Sequence, residues 1–158
     1  AASIMPETMA TCASPPCTRP TNALAKWIMR VMIPARTINS PASMNRGMDV
    51  AIDNLGNVVV AGKAAGGCDF DPGPGTDIKY EDISDGMFVS RFSSAGDYQW
   101  AQYWNLGGRA YGVTTGIDNS VYLCGFWPSH LYDIDPTDGV DNWDGGGFIL
   151  KLSSDGEY

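Results

Sequence analysis

The sequence holds a single histidine, His130, and four cysteines, of which only Cys12 and Cys17 lie near one another. A structural zinc site draws on a second cysteine pair or a pair of histidines, so zinc is excluded. Cys12 and Cys17 could close a local disulfide in an oxidising compartment or stay free thiols, and Cys124, inside an apolar run, reads as a small core residue. Long apolar runs are missing too. Near the start, Trp27 to Met29 is cut by Arg30, far short of the roughly 18 apolar residues that span a bilayer. Neither an export signal nor membrane insertion is expected of this segment. Basic residues are few: ten Lys and Arg against eighteen Asp and Glu leave a net charge of −8. That balance excludes nucleic acid as a partner, because such affinity rests on Lys and Arg displacing counterions.

Glycine is absent from the first 46 residues; all 19 follow from Gly47 onward, whereas six of the ten prolines come before it. Charge breaks at the same place. Residues 1–46 carry five Lys or Arg and only Glu7, net +4, and residues 47–158 carry five against seventeen acids, net −12. The overall average, 44% hydrophobic and 18% charged, excludes a disordered chain but describes neither part.

What is present after Gly47 is a repeat. GMFVSRFSSAGDY at 86–98 returns as GGFILKLSSDGEY at 146–158, VAIDNLGNVVVAG at 50–62 as VTTGIDNSVYLCG at 113–125, and the Asp-x-Asp-Pro of Asp69 to Pro72 as that of Asp133 to Pro136. The offsets are 60, 63 and 64 residues, in consistent chain order, as expected of supersecondary units with small loop insertions. Within a unit the signals are β-branched and aromatic runs bounded by Gly and Asn, with short hairpin loops SSAGD and SSDGE between them. The spacing predicts strands at about 47–53, 57–62, 86–92 and 97–104, then at about 110–117, 120–126, 146–152 and from 157, with no helical period. Strands apolar on both faces are covered on both faces. The expected fold is therefore all-β: tandem four-stranded antiparallel blades of an incomplete β-propeller. Repeat 1 covers 47–109 and a truncated repeat 2 covers 110–158, with 1–46 a poorly matching leader or degenerate partial blade. A chain that begins at Ala1 and stops at Tyr158 within a repeat is expected to be a piece of a longer protein.

The succession D-x-x-G-N-V-x-V-A-G (Asp53 to Gly62), DFDPGPGTD (Asp69 to Asp77) and G-x-F-V-x-R-F-x-x-x-G-x-x-x-W (Gly86 to Trp100) resembles the bacterial β-propeller repeat known as SBBP. The likeness covers 47–158. The second copy departs from it in DIDPTDGVD and in Asn119-Ser120, which stands where Gly56-Asn57 does. The resemblance implies a closed ring of several blades in large exported or surface-attached bacterial proteins, and no shared chemistry.

The acid-rich loops are the most suggestive chemistry. Asp69, Asp71 and Asp77, and Asp133, Asp135 and Asp138 with Asp141 and Asp144, supply closely spaced oxygen ligands of the kind Ca²⁺ takes. Asp equally caps turns through its own backbone. Paired carboxylates also raise a propeller glycosidase drawing acids from Asp69, Asp71, Asp133 and Asp135, but a catalytic acid wants an apolar pocket rather than an acidic loop. Ser129, His130 and Asp133 are too close in sequence to converge as a triad. Trp127, Trp143 and Tyr132 are candidates for stacking on a glycan or anchoring a protein partner, whereas Trp100 reads as core between blades. The expected function is a non-catalytic scaffold for protein or glycan, with neighbouring blades of the same or an identical chain as its structural partners. Two alternatives stand beside it: the hydrolase, and a two-blade protomer that completes a ring from identical copies.

Overall fold

The computed structural model of the chain describes residues 36–37, 45–65, 67–79, 85–105, 107–128, 132–136 and 138–158. Expectations for the rest of 1–46, for the Cys12–Cys17 pair and for His130 lie outside them. Among the described residues there is no helix, so none long and apolar enough to cross a membrane. Twelve strands pair, all antiparallel: β1 (Arg36–Thr37), β2 (Arg46–Ile52), β3 (Val58–Ala65), β4 (Cys68–Asp69), β5 (Ile78–Lys79), β6 (Asp85–Phe92), β7 (Tyr98–Trp104), β8 (Arg109–Thr115), β9 (Val121–Trp127), β10 (Tyr132–Asp133), β11 (Asn142–Trp143) and β12 (Gly146–Leu152). The main sheets are β2-β3-β6-β7, with four strands, and β8-β9-β12, with three. Residues 157–158, where an eighth long strand was expected to start, are not in strand.

The two sheets repeat one another in detail. Val60 faces Ser90 and Gly62 faces Phe88 in the first; Leu123 faces Leu150 and Gly125 faces Phe148 in the second. A β-bulge between Gly47 and Asp49 returns between Ala110 and Gly112. At the bulge the neighbouring backbone comes so close that only glycine fits: a Cβ on Gly62 would stand 2.0 Å from the Arg46 carbonyl oxygen, and one on Gly125 2.1 Å from that of Arg109. The β2–β3 turn closes with Gly56 at φ 81°, and in the β8–β9 turn Asn119 takes the same left-handed conformation at φ 62°. Asn tolerates that region better than other side chains, so the departure at Asn119-Ser120 leaves the turn unchanged.

One face of the first sheet packs on one face of the second. Val59, Ala61, Met87, Val89 and Trp104 meet Val121, Leu123, Phe148, Leu150 and Leu152 in a single core that also takes in Trp127 and Ile134. The first sheet's other face is covered as well, with Val60, Phe88, Phe92, Ala101 and Tyr103 packed with Cys68 and Phe70. Each large apolar side chain buried in this way contributes about 1.5–3 kcal/mol. The second sheet departs from the expectation of two covered faces. β12 alternates, with Phe148, Leu150 and Leu152 buried and Gly147, Ile149 and Lys151 exposed. Cys124 lies on that open side, paired with Ile149, and is exposed rather than a core residue.

Candidate functional site

Each acidic loop is a short hairpin, β4–β5 or β10–β11, built the same way twice. The Asp69 Oδ1 accepts from the Asp71 amide at 3.1 Å and from the Asp77 amide at 2.9 Å. Asp133 Oδ1 does the same for Asp135 at 3.1 Å and Asp141 at 2.8 Å. The Phe70 amide donates to the Asp77 carbonyl at 2.9 Å, and the Ile134 amide to the Asp141 carbonyl at 2.8 Å. A tyrosine then holds each loop to its sheet: the Tyr98 hydroxyl donates to Asp77, and the Tyr158 hydroxyl to Asp141 at 2.5 Å. Burial, the hydrogen bond to Asp77 and the charges of Asp77, Asp71 and Asp69 push the Tyr98 phenol well up. The hydrogen bond to Asp141, burial and the charges of Asp141, Asp135 and Asp133 push Tyr158 up to about 12. Both phenols therefore keep their protons and act as donors.

This geometry uses the carboxylates rather than offering them. Asp71 Oδ1 accepts from the Gly73 amide at 2.7 Å, Asp77 pairs with Lys79 at 2.9 Å, and Asp138 and Asp144 are exposed. Among the described residues no three His, Cys, Asp or Glu side chains gather as a metal site. Of the acids considered for a glycosidase, Asp69 and Asp133 each turn one oxygen to amides of their own loop.

The aromatic candidates do not form one surface. Trp127 ends β9 and is wholly buried, edge-on to Trp104 at 6.4 Å between ring centroids and tilted against Phe148 at 4.9 Å. It is a core residue and presents nothing to a ligand, a correction that the parity of Val121, Leu123 and Trp127 along one strand could have given. Trp143 is 41% exposed on β11, and the register places Tyr132 opposite it on β10. Trp100, expected between the units, does pack there, its indole donating to the Ser154 carbonyl at 3.0 Å.

Residues outside the expected sites carry the junction between the sheets. Arg91, next to the last residue of β6, is buried, and its guanidinium donates both to the Asp53 carboxylate and across to the Ser154 carbonyl of the second unit. Burial pushes the Asp53 carboxyl up, but hydrogen bonds from Asn57 and Leu55 and the Arg91 charge outweigh it and hold the carboxyl below its ordinary range. Around this pair, the Val113 amide donates to Asp49 at 2.9 Å, Asn54 donates to the carbonyl of Ile117 at 3.1 Å, and Gln102 to that of Gly156 at 3.0 Å. A charged residue inside an otherwise apolar strand needs a buried partner, which was the available signal. On the second sheet Lys151 stands in the place of Arg91; it is half-exposed, 3.6 Å from Asp118 and over the Tyr122 ring. Comparison with family models, with curated proteins and with solved structures finds no significant match to the chain.

Proposed function

We propose that residues 47–158 are a non-catalytic stack of β-propeller blades, part of an exported or cell-surface bacterial protein in which it serves as a scaffold for protein or glycan. One observation carries the architecture. Val59, Ala61, Val89 and Arg91 lie on the face of the first sheet that covers the second, and their repeat equivalents Tyr122, Cys124, Ile149 and Lys151 lie on the second sheet's open face. Units that join by unlike faces repeat the same step of translation and rotation, the relation from which rings arise when the rotation closes. The resemblance of 47–158 to SBBP repeats supports the bacterial surface location. The scaffold role is supported by loops whose acids are consumed by turn formation and by a rim that presents Trp143 and Val140 to solvent.

Two measurements test this. Genes joining about four to eight copies of 47–109 are expected to give one preferred copy number that is compact and monodisperse by sedimentation; arrays that lengthen indefinitely without closing count against the propeller. The full chain, offered a panel of aryl glycosides and a glycan array, is expected to show no turnover. Hydrolysis that disappears in Asp135→Asn would replace the scaffold with a hydrolase.

A further inference from the structure

We infer that Asp49, Asn54 and Arg91 make the first unit a one-way dock that grips the backbone of the unit it covers, and that the second unit, with Gly112, Ile117 and Lys151 in their places, cannot stand in the first unit's position. The inference rests on the stacked-repeat reading above and deepens it, from unlike faces to the residues that fix which unit precedes which. Its ground is the one-sidedness of the hydrogen bonds across the junction. The first unit contributes side chains: the Asp49 carboxylate, the Asn54 amide, the Arg91 guanidinium, the Trp100 indole and the Gln102 amide. The second unit meets them with main chain, at the Val113 amide and the carbonyls of Gly116, Ile117, Ser154 and Gly156. Thr115 and Asn119 reach back, again to main chain, at the Ile52 carbonyl and the Asn54 amide. The receiving carbonyls sit in turns that both units share: the Gly116 amide donates to the Ser120 carbonyl and the Gly156 amide to that of Ser153, as the Asp53 amide does to Asn57 and the Gly96 amide to Ser93. The receiving surface is therefore common to the repeat, and selectivity lies on the presenting side.

On that side the two units differ. Asn54 donates to the Gly116 and Ile117 carbonyls at 3.4 and 3.1 Å, whereas its counterpart Ile117 has no side-chain donor and is 96% exposed. The Arg91 fork spans two acceptors, the Asp53 carboxylate and the Ser154 carbonyl. An ammonium is a compact point charge without that fork, and its counterpart Lys151 turns to Asp118 instead, at 3.6 Å. Asp49 stands opposite the small Ala61, while Gly112 stands opposite Cys124, whose sulfur lies 2.9 Å from where a Cβ on the glycine would be. The cysteine thus closes the position to aspartate. All three changes fall on the same face of the second unit, so the tie is removed there as a set. Selectivity between similar partners comes from such lost or unmatched groups as much as from added contacts.

Hydrogen exchange of the full chain tests this by trading residues between the units. Asn54→Ile and Arg91→Lys put the second unit's residues into the first; Ile117→Asn and Lys151→Arg do the reverse at exposed positions. In the native chain the amides of β3 and β9 are expected to exchange as one cooperative unit. Asn54→Ile with Arg91→Lys is expected to separate them, lowering β9 protection by about two- to tenfold for each bond lost, while Ile117→Asn with Lys151→Arg leaves both strands unchanged. Asn54→Ile alone must lower β9 protection, because the Asn54 side chain is exposed and both of its bonds cross the junction. If β3 and β9 exchange together in the native chain but Asn54→Ile costs no more than Ile117→Asn, the inference falls and the stacked reading stands. If the two strands exchange independently in the native chain, both fall.

Discussion

Arg91 and Asp53 form an ion pair shut away from water, and the same guanidinium crosses from the first sheet to the Ser154 carbonyl of the second unit. Their side chains are 5% and 0% exposed. Removing one partner of such a pair strands the other charge at a cost of about 3–5 kcal/mol. Arg91→Met and Asp53→Asn are each expected to destabilise the chain by that order in urea titration. The double change Asp53→Asn with Arg91→Met is expected to cost clearly less than the sum of the two single changes. Additivity would mean that the two side chains act separately.

The same pair sets the acid limit of stability. Because the Asp53 carboxyl is held below its ordinary range in the folded chain, its contribution is fully present above the unfolded value of about 4 and is lost as pH falls through the lower folded value. The stability gap between the native chain and Asp53→Asn is therefore expected to narrow below about pH 4. At the alkaline end the sign reverses. Tyr98 and Tyr158 are raised, so their contribution is complete below about pH 10 and is lost as pH climbs, for Tyr158 toward about 12. Tyr98→Phe and Tyr158→Phe are expected to flatten that alkaline slope; a slope unchanged by both would remove the phenols as its source.

The seven long strands were legible in the sequence because short β-branched and aromatic runs bounded by Gly- or Asn-bearing turns locate strands and hairpins locally. The five two-residue strands were not, since two residues carry no period. Trp127 reads as a surface contact by its aromatic character alone, whereas its parity with Val121 and Leu123 along β9 puts it in the core. Arg91 was passed over for a different reason: its partners lie 38 residues back and 63 residues ahead, and only the stacking of one sheet on the other brings them together. The open face of β12 was equally invisible, because FILKL is apolar enough to be covered twice and only the arrangement shows that it is covered once.

Glycine at the bulge and asparagine in the turn make paired tests of the repeat. A Cβ at Gly62 or Gly125 would run into the carbonyl of Arg46 or Arg109, and the strands must part to admit it. Gly62→Ala and Gly125→Ala are each expected to cost about 1–3 kcal/mol. Asn119→Ala places an ordinary side chain in the left-handed region and is expected to cost about 1–2 kcal/mol. Asn119→Gly is expected to be near neutral, as it keeps the backbone and gives up only the 3.2 Å bond from the Asn54 amide. Thermal melts of the four variants check this, and a tolerated Gly62→Ala would show that the bulge is not a required feature.

Calcium offers the sharpest check on what the acidic loops are for. A site with a dissociation constant of about 10 μM, given about 1 mM of the ion, would stabilise the chain by about 2.7 kcal/mol, or about 10–20 °C for a domain near 100 residues. The hydrogen bonds argue against such a shift, because Asp69 and Asp133 each spend one oxygen on two amides of their own hairpin. Melting in calcium and in chelator is therefore expected to agree within about 1 °C, well under the shift that linkage requires of a real site. Asp69→Ala and Asp133→Ala should still lower stability by about 1–3 kcal/mol, equally with and without the ion, since each leaves backbone donors unpaired. A rise of several degrees in calcium that Asp133→Asn removes would mean that the loops rearrange to hold the cation.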